Sequence, residues 1–326
     1  MRITALSGGI GGARFLRGLR EVVGADDEVS VIANTADDIW LFGLKICPDL
    51  DTLMYTLGGG IDDERGWGRD DEGWRAKEEL AAYGVEPTWF GLGDRDLATH
   101  VVRTQMLAAG YSLSAVTETL CRRWQPGMRL LPMSDDRVET HIVIPDAAEP
   151  SGRRAVHFQE YWVGMHAEPM VLDVVVVGQS DATPAPGVVS ALTEADLIVL
   201  PPSNPIVSVG TILGVPGIGP ALRTATAPVG GVSPVIGGRA VRGMADQLLS
   251  GLGIEGTAAG IAEHYGARSA GRCLDGWLVA DSDGAELARI EAAGIAARAV
   301  PLLMSDIEAT AAMARAVLDL AGQVRG

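Results

Sequence analysis

Short apolar runs rich in β-branched residues alternate along the chain with segments whose apolar residues recur every three or four positions. The runs predict strands at Ile3–Leu6, Val29–Ala33, Leu172–Val177, Leu197–Leu200, Val229–Val232 and Trp277–Ala280. The helical spacing predicts helices at Ala13–Val23, Ala98–Ala109, Ser114–Trp124, Met244–Leu252, Ala258–Tyr265 and Ile307–Ala321. Strands that alternate with helices are typical of βα units, whose strands join in a parallel sheet. We therefore predict an α/β fold: a three-layer, Rossmann-like arrangement around a mainly parallel sheet.

The middle of the chain follows a different pattern. Residues 49–124 carry little strand signal and, with their immediate neighbours, hold five of the seven tryptophans, which indicates a mostly helical segment. Residues 128–163 alternate apolar and polar positions on both sides of a turn at Pro150–Gly152, which predicts an antiparallel hairpin. We find no repeat or linker, and we expect one domain over residues 1–326. Its insertion, at approximately residues 49–163, should lie over the cleft of the sheet.

Composition and charge narrow the class of protein. The 326 residues include 42 acidic and 26 basic side chains, a formal net charge of -16, which disfavours nucleic acid as a partner. Cys47, Cys121 and Cys273 form no CxxC pair, as expected for a reduced protein of the cytoplasm. The N-terminus lacks a signal-peptide pattern, and the longest apolar stretch, residues 170–178, is too short for a membrane helix. We therefore expect a cytoplasmic protein without a membrane partner.

A glycine-rich loop, SGGIGGAR, separates the first predicted strand from the first predicted helix. Its glycines are Gly8, Gly9, Gly11 and Gly12. Glycines let the backbone approach an anion closely, and the start of the helix offers unpaired N–H groups, so we predict a phosphate-binding loop. A tight turn that requires positive φ is the alternative. The loop is not of the Walker A type, and Asn34 stands where dinucleotide-binding proteins carry an acid, which weakens a dinucleotide hypothesis.

Acidic side chains follow the next elements of the chain. Asp37 and Asp38 come after the second predicted strand, and Asp49 and Asp51 lie in the segment CPDLDT. Ligands of open α/β sheets bind beside the carboxyl ends of the strands, and carboxylate oxygens suit Mg²⁺. The alternative for Asp49 is a helix N-cap. Capping explains Asp51, inside the first turn, less well.

Three further polar loops are candidates for the same cleft. The segment GDRD holds Asp94 and Asp96 ahead of a helix, where an N-cap is the alternative for Asp96. In PPSNP the prolines restrict the backbone around Ser203 and Asn204. The loop SPVIGG repeats the glycine-rich pattern at a strand end, with nearby arginines to balance phosphate charge; a plain turn is the alternative. Its candidates are Ser233, Gly237, Arg239 and Arg242.

Several enzyme classes lack their motifs in this sequence. The five histidines show no HExxH or HxxxH spacing, so a zinc hydrolase has no support. A GxSxG motif is also missing, and no cysteine has an obviously activating environment. The pattern therefore favours a phosphate-handling site that contains carboxylates and Mg²⁺ and has no protein nucleophile.

Eight motifs occur in one order over nearly the whole chain. They are SGGIGGARFLRGL, NTADD, CPDLDT, LGDRDLATH, LPMSDD, VHFQEYWV, PPSNPIVSVGTIL and SPVIGG. This ordered set resembles the 2-phospho-L-lactate transferase family, whose bacterial members are phosphoenolpyruvate transferases in the synthesis of the deazaflavin coenzyme F-420. The resemblance implies transfer from enolpyruvyl- or lactyl-2-diphospho-5'-guanosine to the terminal ribityl hydroxyl of the deazaflavin Fo (7,8-didemethyl-8-hydroxy-5-deazariboflavin). GMP is released, the product is (dehydro) coenzyme F-420-0, and Mg²⁺ is required.

The resemblance also implies roles for particular residues. Asp51 matches the family's deazaflavin-contacting aspartate and is expected to orient the Fo hydroxyl, to ligate Mg²⁺, or both. The donor nucleotide is expected at Gly8, Gly9, Gly11, Gly12, Ser203, Asn204, Ser233 and Gly237. Asp94 and Asp96 are further candidates for contacts with Fo, and Asp37 for the metal. Family members are dimers, which implies a homodimer, and Arg14 in place of the archaeal-type lysine fits the bacterial branch and its enolpyruvyl donor.

Two other classes remain as hypotheses. A nucleotide-sugar-binding regulatory protein of the same superfamily, without transferase activity, would share the glycine loop and an NTADD-like segment. Such a protein should lack the combination of PDLDT, GDRD and SPVIGG that this chain contains. A Rossmann oxidoreductase is the third hypothesis, and the missing ribose-binding acid counts against it.

Overall fold

The computed structural model describes residues 1–241 and 245–324. The strands in these ranges are β1 (Arg2–Ser7), β2 (Glu28–Ala33), β3 (Ile39–Leu41), β4 (Leu44–Ile46), β5 (Arg129–Pro132), β6 (Glu139–Pro145), β7 (Arg153–His157), β8 (Asp173–Val177), β9 (Leu197–Leu200), β10 (Val229–Val232), β11 (Val235–Ile236), β12 (Arg239–Ala240), β13 (Gly276–Ala280) and β14 (Ala296–Val300). The α-helices are α1 (Gly9–Arg20), α2 (Pro48–Leu57), α3 (Arg75–Ala82), α4 (Asp96–Ala108), α5 (Leu113–Trp124), α6 (Val188–Thr193), α7 (Val209–Gly214), α8 (Ile218–Thr224), α9 (Ala245–Gly251), α10 (Ala258–Tyr265), α11 (Leu287–Ala292) and α12 (Ile307–Val324). A π-helical turn covers Glu160–Gly164.

A seven-stranded sheet forms the middle layer, in the order β14-β13-β10-β9-β1-β2-β5, and all its neighbours pair in parallel. Parallel strands covered on both faces are apolar throughout, and β9 and β13 are buried along their whole length. Successive side chains of β1 alternate between two cores: Ile3 packs on one face and Leu6 on the other. The first core contains side chains of α1, α2 and α12, and the second contains side chains of α7, α8 and α10. The predicted three-layer α/β fold is confirmed.

One predicted strand belongs to a different sheet. The run Leu172–Val177 was expected among the parallel strands, and this placement is wrong because β8 pairs antiparallel with β6 in a separate sheet of order β7-β6-β8. The predicted antiparallel hairpin is confirmed at β6 and β7, where His141 faces His157. Its expected span was too wide, since β5 is the edge strand of the central sheet. Apolar runs indicate a strand but not its partner.

The predicted helices are observed within the described residues, as α1, α4, α5, α9, α10 and α12. Met244, the expected first residue of one of them, lies outside the described residues. Between residues 49 and 124 the chain forms α2, α3, α4 and α5, with one isolated antiparallel bridge between Ile61 and Arg69. None of the described helices is long and apolar enough to cross a membrane.

Candidate active site

A cavity of about 370 Å³ opens at the carboxyl ends of the central strands. Its walls come from loops that follow β1, β2, β9, β10 and β14 and from the first turns of α2 and α4. The carboxyl edge is where open α/β sheets bind ligands, because the loops and helix N-termini of neighbouring strands converge there. The predicted site residues that line this cavity are Gly8, Gly9, Gly11, Asp37, Asp51, Asp96, Ser203, Asn204 and Ser233. Gly12, Asp94 and Gly237 are not part of its lining.

The glycine loop is packed against the loop after β9. A side chain at Gly11 would overlap the carbonyl oxygen of Pro202, and one at Gly12 would overlap the hydroxyls of Ser7 and Ser203. Glycine at these positions therefore lets two loops meet at the edge of the sheet. The contact brings Ser203 beside the glycine loop, which its distance in sequence would not reveal.

Two N–H groups of the loop have acceptors inside the protein. The N–H of Gly9 donates to Asp49 Oδ1 at 2.8 Å, and the N–H of Gly8 donates to Ser203 Oγ at 3.2 Å. The Ser203 hydroxyl in turn donates to the Gly8 carbonyl oxygen at 2.8 Å. The next N–H groups of α1, those of Ile10 and Gly11, belong to the first helical turn, which has no acceptors within its own helix. Ile10 and Gly11 both line the cavity.

Asp49 joins the glycine loop to α2. It lies in the first turn of α2, after Pro48, and does not occupy the N-cap position, which belongs to Cys47. Its Oδ2 accepts a hydrogen bond from Asn34 Nδ2 at 2.9 Å. Burial raises the pKa of Asp49 to about 6, although the bonds from Asn34 and Gly9 lower it. The carboxylate therefore ties the end of β2 and the start of α1 to α2.

A second buried group is formed by α2 and α4. Asp51 Oδ2 lies 3.7 Å from His100 Nδ1, and Asp96 Oδ2 lies 3.4 Å from His100 Nε2. The Tyr55 hydroxyl donates to Asp96 Oδ1 at 2.5 Å, and Arg103 forms an ion pair with Asp51 Oδ1. Ligand atoms of Asp51, Asp96 and His100 all lie within 4.8 Å of one another, so this group is close enough to hold a metal ion.

The two acids of this group differ in proton affinity. Burial raises the pKa of Asp51, against the lowering effect of the Arg103 and His100 charges. Burial also acts to raise the pKa of Asp96, but the hydrogen bonds and charge of His100 and the Tyr55 hydroxyl outweigh it, so this pKa is lowered. Asp96 is therefore ionised at neutral pH. Among the described residues, Asp51 Oδ2 is buried without a hydrogen-bond partner, which fits a carboxylate that faces a bound cation.

Asp37, the other predicted metal residue, belongs to a different part of the wall. It lies near Asp49 and Asn34, and burial together with the Asp49 charge raises its pKa well above the usual range. Its Oδ1 is buried and has no partner among the described residues. The metal-sized group described above joins Asp51 to Asp96 and His100 and does not include Asp37.

Other predicted residues have structural partners. Asp94 accepts the N–H groups of Arg75 and Ala76, at 3.2 and 2.9 Å, and so caps the start of α3. Asp96 is the first residue of α4, and the N-cap is Arg95. The expected helix therefore begins at the last residue of GDRD, and Asp94, the other acid of this segment, accepts hydrogen bonds from a different helix, α3.

The two later loops are also held internally. Asn204 Oδ1 accepts the N–H groups of Ile206 and Val207, and Asn204 lines the cavity. Ser233 Oγ bonds to both the N–H and the carbonyl oxygen of Val235. Gly237 donates to Asp283 at 3.0 Å, away from the cavity lining. Arg239 lies in β12, and Arg242 is outside the described residues.

Sequence reasoning missed Tyr55, His100 and Arg103 as parts of the site. His100 follows Asp96 by four positions on α4, and Arg103 follows His100 by three, so all three face one side of the helix. This helical spacing was the only sign in the sequence that the three side chains act together. It could not reveal their contact with Asp51, because that contact arises when α2 packs against this face of α4.

A glycine loop at a helix N-terminus and acids at the carboxyl edge of a parallel sheet, around one cavity, are typical of α/β enzymes. The family model for the 2-phospho-L-lactate transferase CofD matches residues 3–317. The chain belongs to this family and is a transferase.

Curated relatives cover the whole chain. The phosphoenolpyruvate transferase of Kitasatospora aureofaciens is 63% identical over 325 residues, 100% of this chain and 99% of its own length. That of Streptomyces griseus is 62% identical over 100% of both chains. The phosphoenolpyruvate transferase of Mycobacterium bovis is 54% identical and covers 99% of this chain and 100% of its own.

Solved structures share the fold. Two crystal structures of protein BH3568 from Bacillus halodurans, one described as a member of the UPF0052 family, match with a TM-score of 0.63. They cover 97% of this chain and 99% of their own, at 18% identity. This likeness supports the α/β architecture of the chain and carries no statement about its activity.

Proposed function

We propose that this protein transfers a phosphoenolpyruvyl group from enolpyruvyl-2-diphospho-5'-guanosine, or a 2-phospho-L-lactyl group from the lactyl analogue, to the terminal ribityl hydroxyl of Fo. The reaction releases GMP, requires Mg²⁺ and yields (dehydro) coenzyme F-420-0. The observation that carries the proposal is the single cavity that combines the glycine loop with Asp51 and Asp96. The names of the relatives, phosphoenolpyruvate transferases at 54–63% identity, favour the enolpyruvyl donor.

The glycine-loop end of the cavity suits the donor diphosphate. Ile10 and Gly11 line it in the first turn of α1, at the positive end of the helix dipole, and Asn204 lines it as well. Arg14 also lines it and can pair with phosphate. Apolar side chains from the last loop of the sheet, Leu302 among them, form the adjoining wall. These groups support binding of a guanosine diphosphate there.

The other part of the wall is aromatic and suits a planar acceptor. Trp67 and Trp162 line the cavity and remain 42% and 39% exposed, and Phe90 lines it as well. Trp89 packs on Phe90 and lies against Gly164 of the π-helical turn, which holds this group together. Aromatic side chains favour planar ring ligands because stacking covers apolar surface that water otherwise contacts. A tricyclic deazaflavin has the shape and chemistry for this wall.

The proposed reaction needs positioning and charge neutralisation. The ribityl oxygen forms a bond to the phosphorus that carries the enolpyruvyl or lactyl oxygen, the phosphoanhydride bond to GMP breaks, and the hydroxyl proton is lost. Such transfers require no covalent intermediate with the protein. Asp51 would hold the acceptor hydroxyl and, with Asp96, would hold Mg²⁺, whose charge offsets that of the diphosphate.

A mass-spectrometric assay tests the proposal. Purified protein receives Fo, Mg²⁺ and either guanylyl donor, and product mass and GMP release are recorded with and without EDTA. Product from the enolpyruvyl donor alone, lost with EDTA, supports the bacterial-type reaction and identifies the donor. Guanine-nucleotide binding without any product would instead support the regulatory protein without transferase activity. The active-site variant Asp51→Asn measures the background rate of product formation.

We also propose a cytoplasmic homodimer of a single-domain protein. The dimer rests on the family resemblance, and the three free cysteines are consistent with a reducing compartment. Light scattering coupled to size-exclusion chromatography checks the mass directly. A monomer at micromolar concentration would contradict the dimer without affecting the proposed activity.

A further inference from the structure

Gln159 stands in the cavity wall, and the proposed reaction assigns it no role. It is only 5% exposed and lines the cavity. Its backbone N–H donates to His157 Nδ1 at 3.1 Å, whereas its side-chain amide forms no hydrogen bond with the described residues. The amide is not sealed inside the protein either, so it opens on the cavity. Because buried polar groups are as a rule hydrogen-bonded, an open donor and acceptor at this depth indicate a ligand.

Gln159 directly precedes the π-helical turn, and one face of this short helical segment forms part of the wall. The residues of the segment that line the cavity have the spacing of a single helix face; they are Phe158, Gln159, Trp162 and Val163. Tyr161 holds the other face, since it is fully buried and its hydroxyl donates to the Pro169 carbonyl oxygen at 2.8 Å. Short π-helical turns occur frequently at functional sites. The anchored backbone thus presents the Gln159 amide on the same face as Trp162.

The side-chain amide selects the chemistry of its partner. It offers one donor nitrogen and one acceptor oxygen side by side and carries no charge. Phosphate groups bind preferentially to arginine, lysine and the N–H groups of helix N-termini, so the diphosphate is not the expected partner. A planar ring edge on which an N–H group stands beside a carbonyl matches both atoms of the amide at once. In Fo this edge belongs to the pyrimidinedione ring, where N3–H lies between two carbonyl groups.

We propose that the Gln159 amide recognises the N3–H edge of the deazaflavin ring and so contributes to selection of the acceptor. This inference rests on the proposed function for the identity of Fo. Guanine has a similar edge at N1–H, but the position of Gln159 favours the acceptor, because Trp162 of the aromatic wall lies on the same face. Three residues span about 4.5 Å along a helix, which is less than the length of three fused rings. A deazaflavin stacked on Trp162 is therefore long enough to reach Gln159.

Calorimetry with Fo and with Fo methylated at N3 tests the contact. Methylation removes the N–H group and leaves the stacking surface of the rings. We expect the wild-type protein to bind the methylated ligand about 10-fold more weakly, because the amide oxygen of Gln159 then stays buried without a partner. In Gln159→Leu the Kd for Fo should rise by the same order, and the two ligands should differ less than about 3-fold. Equal discrimination by the wild-type protein and the variant would overturn the proposal.

Two further variants separate this contact from stacking and from general effects of substitution. Gln105→Leu, at an exposed glutamine of α4 outside the cavity lining, should leave both Kd values unchanged. Trp162→Leu should weaken the binding of both ligands and keep the ratio between their Kd values. A change in this ratio as large as that in Gln159→Leu would contradict the assignment of the N3 edge to Gln159.

Titration with GMP distinguishes the acceptor from the nucleotide. Gln159→Leu should bind GMP as the wild-type protein does, and a loss confined to GMP would overturn the proposal in favour of the guanine edge. A wild-type protein that binds GMP and does not bind Fo would refute the proposed function together with this inference. Wild-type binding of Fo that is indifferent to N3 methylation would refute this inference alone, whether or not the variants fold.

Discussion

Replacement of Asp51 separates its role in the reaction from its role in the fold. In Asp51→Ala the buried Arg103 guanidinium keeps its charge and loses the carboxylate that pairs with it. Breaking a buried ion pair from one side costs about 3–5 kcal/mol because the remaining charge is uncompensated. In Asp51→Asn the amide oxygen still accepts a hydrogen bond from Arg103, so we expect a loss of about half this size or less. Both variants lose Oδ2, the carboxylate oxygen that has no hydrogen-bond partner among the described residues.

The assay pairs urea unfolding with turnover. We expect Asp51→Ala to lose about 3–5 kcal/mol in free energy of unfolding and its Tm to fall by roughly 4–7 °C. Turnover should fall at least about 100-fold in Asp51→Asn at a temperature where this variant is fully folded. His141→Ala, a half-buried residue outside the cavity lining, serves as the matched control. Wild-type turnover in Asp51→Asn would refute the catalytic role of Asp51. Unchanged stability of Asp51→Ala would refute the claim that the buried charge of Arg103 needs Asp51 as its partner.

Three further predictions concern separate parts of the cavity. In Gly11→Val the new side chain overlaps the Pro202 carbonyl oxygen, and we expect guanine-nucleotide binding, measured by calorimetry, to weaken more than Fo binding. Equal loss of both affinities would indicate misfolding. The substitution Gly322→Ala, at an exposed glycine, is the control. Trp162→Leu should raise the KM for Fo about 10-fold because stacking is lost. The control is Trp40→Leu, since Trp40 is exposed and lies outside the cavity lining, and it should leave this KM unchanged. Equal effects of the two substitutions would contradict binding of Fo at the aromatic wall. The pKa of Asp49 is raised from 3.8 to about 6 on folding, so the folded state binds more protons between these values and stability falls as pH rises through this window. In Asp49→Asn this contribution, up to about 3 kcal/mol of the change in free energy of unfolding with pH, should be absent from urea titrations at several pH values. The same pH profile in the variant and the wild-type protein would contradict the assignment of this dependence to buried Asp49.

Local pattern was sufficient where the chemistry is local. The glycine loop lies between a strand and a helix in sequence, so its position at a helix N-terminus follows from the order of these elements. Asp51 was identified from CPDLDT, which begins a helix after the second central strand, and lies in the cavity wall. The helices predicted from apolar spacing were also observed in the described residues, because burial of one face produces that spacing.

The same patterns do not predict which strand or helix each segment contacts. The run around β8 has the composition of a strand, but composition does not tell whether its hydrogen bonds go to a parallel or an antiparallel neighbour. Asp94 and Asp96 stand two positions apart, yet Asp94 accepts an N–H group of α3, whereas Asp96 accepts the Tyr55 hydroxyl of α2 and lines the cavity.

The amino-acid sequence by itself therefore determined the βα order, the glycine loop and the acids at the ends of strands, since each depends on residues that are neighbours along the chain. Only the tertiary structure decided that Arg103 pairs with Asp51 and contacts His100. These groups come from α2 and α4, and an ion pair or a hydrogen bond requires its atoms to lie within about 3–4 Å of each other. Distances of that size between helices result from packing, and packing depends on all the side chains that fill the space between them.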